Sequence, residues 1–517
     1  MIQIRQSQCK YVLGMMWLSV PYHLRTIAPD TRFAETLSID LFARLLPHDQ
    51  ILTALQRAKR RDYRIRKLTL PLMVWLVIAM NLWTHVSIEH AFQKLARGLR
   101  FVWPNPNLTW PTRGAFCIRR YQLGVQPLVH LFRQLCIPMA TATSVGAFRF
   151  GYRLMAIDGT VETVPDTVSN AAYFGRMAGS RGASAFPQVR AVYLVECGTH
   201  ALVDAGFWPC RTHERVGGHR MLRTLQPDML VMWDRGFHAY TMFVGAIARG
   251  AQVLARLSLS VHPDIHQTLA DGSALITLAP SNHGRVREAG AIRLRMITYC
   301  LTDPALGDPA TRHRVVTTLL DPDRYPARDL VATYHERWEI EVVIDEIDTH
   351  QRVVGRPLRS QHPIGVLQEL YGVLIAHYLV RRVMHDAAVE RELDPDRISF
   401  VHAVRLIQDA IPESQMVAAV QLPDLYQRLL TDLCAQLLPV RRLRIYPRTV
   451  KQKMTKFLRK RPDDPPLLQP TIPFYTAIAV VTEPLTPVRV KRPPVRPPTP
   501  PTASTGARSE PTADAQP

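Results

Sequence analysis

The chain has 517 residues, 47% of them hydrophobic and 21% charged, with a formal net charge of +21 and a pI near 10.0. That apolar content excludes wholesale disorder and a small disulfide-stapled scaffold, and the length suits roughly two to four domains of ~100–200 residues. A positive surplus of this size points to a polyanionic partner, with nucleic acid ahead of an anionic membrane surface.

Residues 1–34 read as an N-terminal extension. Arg5 and Lys10 precede the apolar stretch Tyr11–Val20, but Pro21–Tyr22–His23–Leu24 offers no small-residue cleavage site for a signal peptide. Residues 35–140 read as a helical, basic module, a DNA-binding domain or one with a merely solvated charged face. Leu41, Leu45 and Leu46 fall near one helical face, and Ile51, Leu52 and Leu55 open another helix after Pro47 and Asp49. A basic cluster from Arg57 to Lys67 follows, with seven positive charges and one acid, Asp62. The most apolar run, Leu72–Met80, is about half the ~20 residues that cross a bilayer, so a buried core helix is expected and no membrane span. Trp103–Pro104–Asn105–Pro106 breaks the pattern, and Thr112 is placed to cap a helix starting at Arg113 and carrying Arg119 and Arg120.

From 148 to 250 the period becomes that of strands. Tyr152, Leu154 and Ala156 alternate with Arg153, Met155 and Ile157 in a strand expected to end at Asp158. Strands at 189–196 and 201–207 are joined by the turn Cys197–Gly198–Thr199–His200, and Gly217–Gly218 weakens a possible helix over 214–225. Met229–Trp233 fits a fully buried strand, ends at Asp234 and is followed by Arg235–Gly236. This order implies a mixed α/β sheet. Residues 251–320 read as a β-rich insertion, and 321–440 as the second part of the core, with a helix from Ala327 to Arg352 and further helices over 363–438. The strip 441–463 has ten Lys/Arg and no acid between Arg441 and Arg461. Its Arg441, Arg442, Arg444, Arg448, Lys451 and Lys453 are candidates for contact with a DNA backbone, and a solvated connector is the plainer reading. Beyond 464 the chain is Pro-rich, and a disordered or polyproline tail is expected. Seven scattered cysteines without a C-x-x-C pair support neither a disulfide framework nor a zinc site; a reducing, cytoplasmic compartment is the expectation.

Asp158 and Asp234 are each weak signals, since an Asp before Gly usually forms a turn. Tyr334, Arg337 and Glu341 stand at i, i+3 and i+7 and share one helical face. A hydroxyl, a phosphate-binding fork and a carboxylate on one stripe suit the cutting of a phosphodiester, although an ordinary Arg337–Glu341 pair explains the same spacing. Phosphodiester chemistry with two divalent ions ~3.5–4 Å apart needs an oxygen-rich site, and magnesium takes hard oxygen ligands while keeping several waters.

With these residues in view, the chain resembles the DDE transposases of the insertion-sequence-4 family, in the subgroup with a helical N-terminal domain. Ile157–Asp158–Gly159–Thr160 resembles the first-Asp motif, Trp233–Asp234–Arg235–Gly236 the second, and Tyr334, Arg337 and Glu341 the Y-(2)-R-(3)-E signature. The intervals are 76 and 107 residues, and the longer one accommodates a β-rich insertion typical of the family. Leu320–Asp321–Pro322–Asp323–Arg324–Tyr325–Pro326, Arg359–Ser360 and Glu369–Leu370–Tyr371–Gly372 are also similar. The resemblance implies an RNase H-like mixed-sheet core binding two Mg²⁺ (or Mn²⁺), with Asp158, Asp234 and Glu341 as catalytic metal ligands. Arg337, Tyr334 and Arg235 would contact DNA, the substrates would be terminal inverted repeats and target DNA, and a homodimer would act in cut-and-paste transposition. Two departures stand out. Asp348 occupies the place of a family Lys, with His350 or Arg352 as compensation. No Trp lies between Trp233 and Trp338 to flip a base, and Tyr299 or Tyr325 would more ordinarily pack than stack. The competing readings are a DNA-binding protein with a decayed core and a stand-alone metal nuclease.

Overall fold

The computed structural model describes residues 22–64, 67–105, 107–179, 182–280, 290–353, 355–439 and 470–486. The N-terminal region is helical, with helices Phe33–Thr36, His48–Arg57, Leu70–Leu82, Ile88–Leu95, Arg97–Val102, Arg113–Leu123 and Gln126–Leu135. Thr112 caps as expected, its Oγ1 accepting from the Ala115 N–H at 3.3 Å. Leu70–Leu82 begins at a Thr69 cap with Pro71 in its first turn, and nearly every residue is buried, as an all-round apolar helix must be.

That helix packs against the 28-residue helix Pro363–Glu390. Gly372 permits the contact, because a Cβ there would come within 2.6 Å of Asn81 Nδ2. Pro363–Glu390 is long and apolar enough to cross a bilayer, but 78% of its apolar window is buried inside the protein, where it forms a central core helix. Its most apolar stretch, Leu370–Val380, is bounded by Glu369 and Arg381. Arg359, Ser360 and Glu369 form a structural knot: Glu369 accepts from Arg359 Nε at 3.0 Å and from Ser360 Oγ at 2.8 Å, and Arg120 reaches Ser360 Oγ at 3.2 Å from the N-terminal region.

Thirteen strands lie among the described residues: β1 (Phe148–Arg149), β2 (Tyr152–Thr163), β3 (Ala178–Gly179), β4 (Gly182–Ala183), β5 (Gln188–Glu196), β6 (Ala201–Pro209), β7 (Met229–Trp233), β8 (Gln252–Leu257), β9 (Asp264–Thr268), β10 (Ala274–Leu278), β11 (Ile292–Leu301), β12 (His313–Thr317) and β13 (Ile478–Val480). The main sheet runs β6-β5-β2-β7-β8-β12-β11-β10-β9, with β1 on β2 and β13 on β11, while β3 and β4 pair separately. β2–β7 and β7–β8 are parallel and the rest antiparallel, so the sheet is mixed as the element order implied. Every residue of β7 is buried, as befits a strand flanked by parallel neighbours and covered on both faces. The helix Glu214–Met221 packs on β2, β5 and β6. Its weak Gly217–Gly218 pair is what lets it lie close, since a Cβ on Gly217 would come within 2.4 Å of Val192 Cγ2.

Four expectations are revised. The strand-rich stretch 251–320 continues the core sheet through β8 and β12, because β8 finds its parallel partner in β7. β2 does not stop at Asp158; antiparallel pairing with β5 carries it on to Thr163, opposite Gln188. The segment from Ala327 to Arg352 is helical but not uniform, passing from α (Ala327–His335) through a 3₁₀ turn (Glu336–Trp338) and α (Glu339–Asp345) into a π turn (Glu346–Gln351). Part of the Pro-rich tail is ordered. Ile478–Val480 adds β13 to β11, Asp303 Oδ2 accepts from Thr471 N at 2.6 Å, and Glu483 Oε2 accepts from Arg314 Nη2 at 2.7 Å. A short apolar strand, held on one side by Thr471 on Asp303 and on the other by Glu483 on Arg314, outweighs the surrounding prolines. Residues 1–21, the strip 441–461 and residues 491–517 lie outside the described residues, as do Ile65 and Arg66 of the first basic cluster. The six cysteines that are described are all free.

Candidate active site

The site is assembled by a sheet register. β2 and β7 run parallel with Ile157 opposite Trp233, so the next residue of each, Asp158 and Asp234, leaves the paired region beside the other. Asp158 is therefore not at the end of its strand but at the end of its parallel partner, where the edge of β2 opens. Backbone donors orient both side chains: Asp158 Oδ1 accepts from Gly159 N and Asp234 Oδ1 from Gly236 N, each at 2.8 Å.

The helix Glu339–Asp345 supplies the third carboxylate, and the 3₁₀ turn before it supplies a cation. Arg337 Nη1 donates to Asp158 Oδ2 at 2.7 Å and stands 3.9 Å from Glu341 Oε1. The electrostatics are those of converging acids. Burial pushes the Asp158 carboxyl up to about 7; Arg337 and the Gly159 N–H oppose the shift, and the charges of Glu341 and Asp234 add to it. Glu341, with 40% of its side chain exposed, leaves the cluster open to solvent.

Tyr334 is placed differently from the phosphate contact expected of it. Its ring is buried and its hydroxyl donates to the Trp233 carbonyl at 3.3 Å, so it braces the end of β7 beside Asp234; burial raises the phenol above its ordinary range. Arg235 is exposed next to Asp234. Tyr299 and Tyr325 are both buried, Tyr325 edge-on to Phe150, so neither offers a face to a base. Arg441, Arg442, Arg444, Arg448, Lys451 and Lys453 fall outside the described residues.

Asp348 is brought into its own small cluster. Its Oδ1 is 3.1 Å from Arg352 Nη1, and Arg352 also pairs with Glu162 on β2, four residues beyond Asp158. Burial and then the Glu162 charge push Asp348 up to about 7. Arg352 is thus paired with both Asp348 and Glu162, while His350 Nε2 lies 3.4 Å from Asp345 Oδ2.

One nearby acid was not singled out from the sequence. Glu214, the first residue of its helix, lies over Gly159, where an added Cβ would fall 2.0 Å from Glu214 Oε1. Burial raises its pKa; Arg190, 3.9 Å away, opposes that rise, and the Asp234 charge adds to it. The only sequence signal was an acid in the first turn of a weak helix.

Among the described residues, the three-residue group whose donor atoms already lie within 4.8 Å of one another is a different one, His200, Glu339 and Asp396. In the carboxylate triad the Arg337 guanidinium stands between Asp158 and Glu341.

Comparison with known proteins bears on these residues. A family model described as "Insertion element 4 transposase N-terminal" matches residues 36–133, and one described as "Transposase DDE domain" matches residues 149–379. The Escherichia coli (strain K12) protein "Transposase InsG for insertion sequence element IS4" is 25% identical over 435 residues, 83% of this chain and 93% of that protein. "Putative transposase InsZ" of the same organism is 28% identical over 220 residues, 41% of this chain and 69% of that protein. A solved structure of the piggyBac transposase synaptic complex with hairpin DNA covers 80% of this chain and 78% of its own at 12% identity, with a TM-score of 0.34, too distant to bear on the site.

Proposed function

Because the chain belongs to the insertion-sequence-4 family of DDE transposases, we propose that it cuts DNA at the ends of its own element and joins them to target DNA, with Asp158, Asp234 and Glu341 as the catalytic carboxylates. Membership makes it a transposase, a DNA-binding enzyme whose DDE domain implies a divalent metal. The observation that carries the finer reading is the Arg337 guanidinium joining Asp158 to Glu341, with Asp234 in register beside Asp158.

The donor set fits Mg²⁺ or Mn²⁺. It is all carboxylate oxygen, and a cation would relieve both the burial that chiefly raises Asp158 and the smaller repulsion from Glu341 and Asp234. Asp158, Asp234 and Glu341 would hold the ions. A bound pair supplies activation of the attacking oxygen and stabilisation of the leaving one.

The chain's own residues do the rest. Arg337 exchanges its carboxylate partner for a phosphate of the element end, which its planar fork grips in bidentate fashion. Tyr334 holds the end of β7 so that Asp234 keeps its place. Arg235, and the strip containing Arg441, Arg442, Arg444, Arg448, Lys451 and Lys453, contact backbone phosphates and fix the register without reading bases. Water nicks the end, the freed 3′-hydroxyl closes a hairpin on the opposite strand, and the reopened end enters target DNA in the cytoplasm. Two chains pair the two inverted-repeat ends.

The deciding assay incubates purified protein and Mg²⁺ with a duplex carrying the inverted repeat that flanks the gene. Wild type should cut it and Asp158→Ala should not. Equal cutting by both removes the site, and no cutting by either identifies a decayed, purely DNA-binding protein.

A further inference from the structure

On the face of β2 away from Asp158 lies a cavity of about 810 Å³, lined among others by Arg176, Arg190, Cys210, Arg211, His213 and Glu214. Side chains alternate along a strand, so Asp158 faces the elements that carry Arg337 and Glu341, and Gly159 faces the helix Glu214–Met221. Arg190 on β5 pairs opposite Val161 and shares the Gly159 face, and Glu214 lies over Gly159 itself. Past Ile157 no described strand pairs with the β7 side of β2, so the two faces meet at an open edge.

The lining is rich in donors that lack acceptors. Only 15% of the Arg190 side chain is exposed, and its buried Nε has no hydrogen-bond partner among the described residues. Its Nη2 reaches only Met177 Sδ, at 3.9 Å, and its Nη1 stands 3.9 Å from Glu214 Oε1. A guanidinium carries five donors and no acceptor, and shielding one with so few partners is costly. Arg211 is exposed and, among the described residues, makes no ion pair or side-chain hydrogen bond. His213 Nδ1 accepts from the Arg215 N–H at 3.2 Å, which places the proton of the neutral ring on Nε2 as a further donor. Arg176 is spent on the wall, where it pairs with Asp166 and donates to the Ser184 carbonyl at 3.1 Å. Glu214 is the one acid of the lining, and it begins a helix whose positive end therefore lies at the cavity.

We propose that this cavity seats one nucleotide of the element-end DNA, its phosphate on Arg190, Arg211 and His213 and its sugar along the apolar wall of Ala171, Met177 and Ala183. The chemistry is complementary, because phosphodiester oxygens only accept and guanidinium groups only donate. The volume falls within the range of sites that enclose a small organic molecule, and an apolar wall serves a sugar where a bare anion needs none. A strand crossing the open edge of β2 touches the carboxylates on one face and Arg190 and Arg211 on the other. The seat thereby fixes which phosphate of that strand lies at Asp158, without reading a base. Arg190 and Arg211 are positioning residues in this scheme. The inference rests on the reading of the chain as an enzyme that cuts the ends of its element, and it adds the place where the neighbouring nucleotide is held.

The test uses the full chain and the inverted-repeat duplex. Binding is followed by fluorescence anisotropy from low to moderate salt in an Asp158→Ala background, where the duplex stays whole, and cutting is followed with Asp158 intact. Arg190→Gln and Arg211→Ala should each reduce the slope of log K against log[salt] by about 0.9, the share of one phosphate on duplex DNA. Arg249→Ala, an exposed arginine at the entry to β8 and so at the end of the sheet away from Asp234, should leave the slope unchanged. Duplexes with one uncharged methylphosphonate linkage, moved stepwise past the cut, locate the contact. One position should weaken binding about tenfold, and should have no further effect once Arg211→Ala is present. If Arg190→Gln does not fold, the exposed Arg211→Ala carries the comparison. Unchanged slopes in both arginine variants, with cutting that depends on Asp158, overturn the seat alone. No binding of the duplex by any of these chains overturns the seat together with the reading beneath it. Inorganic phosphate alone forms the last arm: a rise in unfolding temperature that the arginine variants remove, beside an unchanged DNA slope, assigns the cavity to a free anion and overturns the proposal.

Discussion

Arg337 Nη1 donates to Asp158 Oδ2 at 2.7 Å although 179 positions separate the two residues, and the same guanidinium stands 3.9 Å from Glu341. One cation therefore spans two of the three acids that the proposed chemistry needs. Arg337→Ala should lower DNA cleavage by about 10²–10³-fold, the size of effect seen when one positioned electrostatic donor is removed. Arg337→Lys should not restore it, because an ammonium lacks the bidentate fork. Cleavage rates at saturating Mg²⁺ check both, and near-wild-type rates for the lysine variant would reduce Arg337 to a simple counter-charge.

Asp158 gives a pH dependence with a definite sign. Its carboxyl titrates at about 7 when folded against 3.8 in the unfolded chain. Between those values the folded state holds a proton that the unfolded state has lost, so in metal-free protein this group's contribution to stability falls as pH rises from about 4 to 7. Mg²⁺ should therefore raise the unfolding temperature at pH 8, by ~1 °C for each kcal/mol gained in a chain of this length, and do so much less at pH 5. Asp158→Asn should flatten the dependence. Calorimetry with and without Mg²⁺ at the two pH values measures it, and equal shifts at both would remove Asp158 from the metal site.

Tyr334→Phe should cost only about 0.5–1.5 kcal/mol, the worth of one hydrogen bond to the Trp233 carbonyl, and should leave DNA affinity unchanged. Tyr334→Ala should cost about 3–5 kcal/mol through the cavity it leaves. Denaturation together with fluorescence anisotropy on an end duplex distinguishes bracing from phosphate binding. A large affinity loss in the Phe variant with unchanged stability would restore the phosphate contact.

Gly159→Ala should displace the Glu214 carboxylate, whose Oε1 would lie 2.0 Å from the new Cβ, and press less closely on the Ala191 carbonyl at 3.1 Å, for a modest loss of stability. The double variant Gly159→Ala, Glu214→Ala should recover part of the loss, with a coupling of ~0.5–3 kcal/mol. A double-mutant cycle by denaturation reads this directly, and additive effects would show that Glu214 does not press on Gly159.

Deleting residues 441–461 should flatten the salt dependence of DNA binding, since each lost phosphate contact removes its released counterion. Binding titrations from low to moderate salt supply the slope, and an unchanged slope would leave the strip without a DNA-binding role.

Much of the secondary structure was legible because its signals are local. The Thr112 cap, the turn before His200 and the buried run Met229–Trp233 each declare themselves within a few residues. Less legible were features set by distant partners. The continuation of β2 past Asp158 depends on β5, and the return of Ile478–Val480 to the sheet depends on β11, Asp303 and Arg314. The two clusters built on Asp348 and His200 were invisible for the same reason: their members are polar residues with no periodic signature of their own.

Charge, composition and spacing determined the kind of protein this is: a basic, mixed α/β chain whose candidate acids follow apolar strand patterns or share one helical stripe. Those properties follow from side-chain chemistry and from backbone periods that repeat every two or 3.6 residues. The tertiary structure decided which groups meet: Asp158 beside Asp234, Arg337 across Asp158, Arg352 beside Asp348, and Glu339 turned away toward His200. Such meetings are fixed by strand register and helix docking over intervals of tens to hundreds of residues, distances at which a local period carries no information.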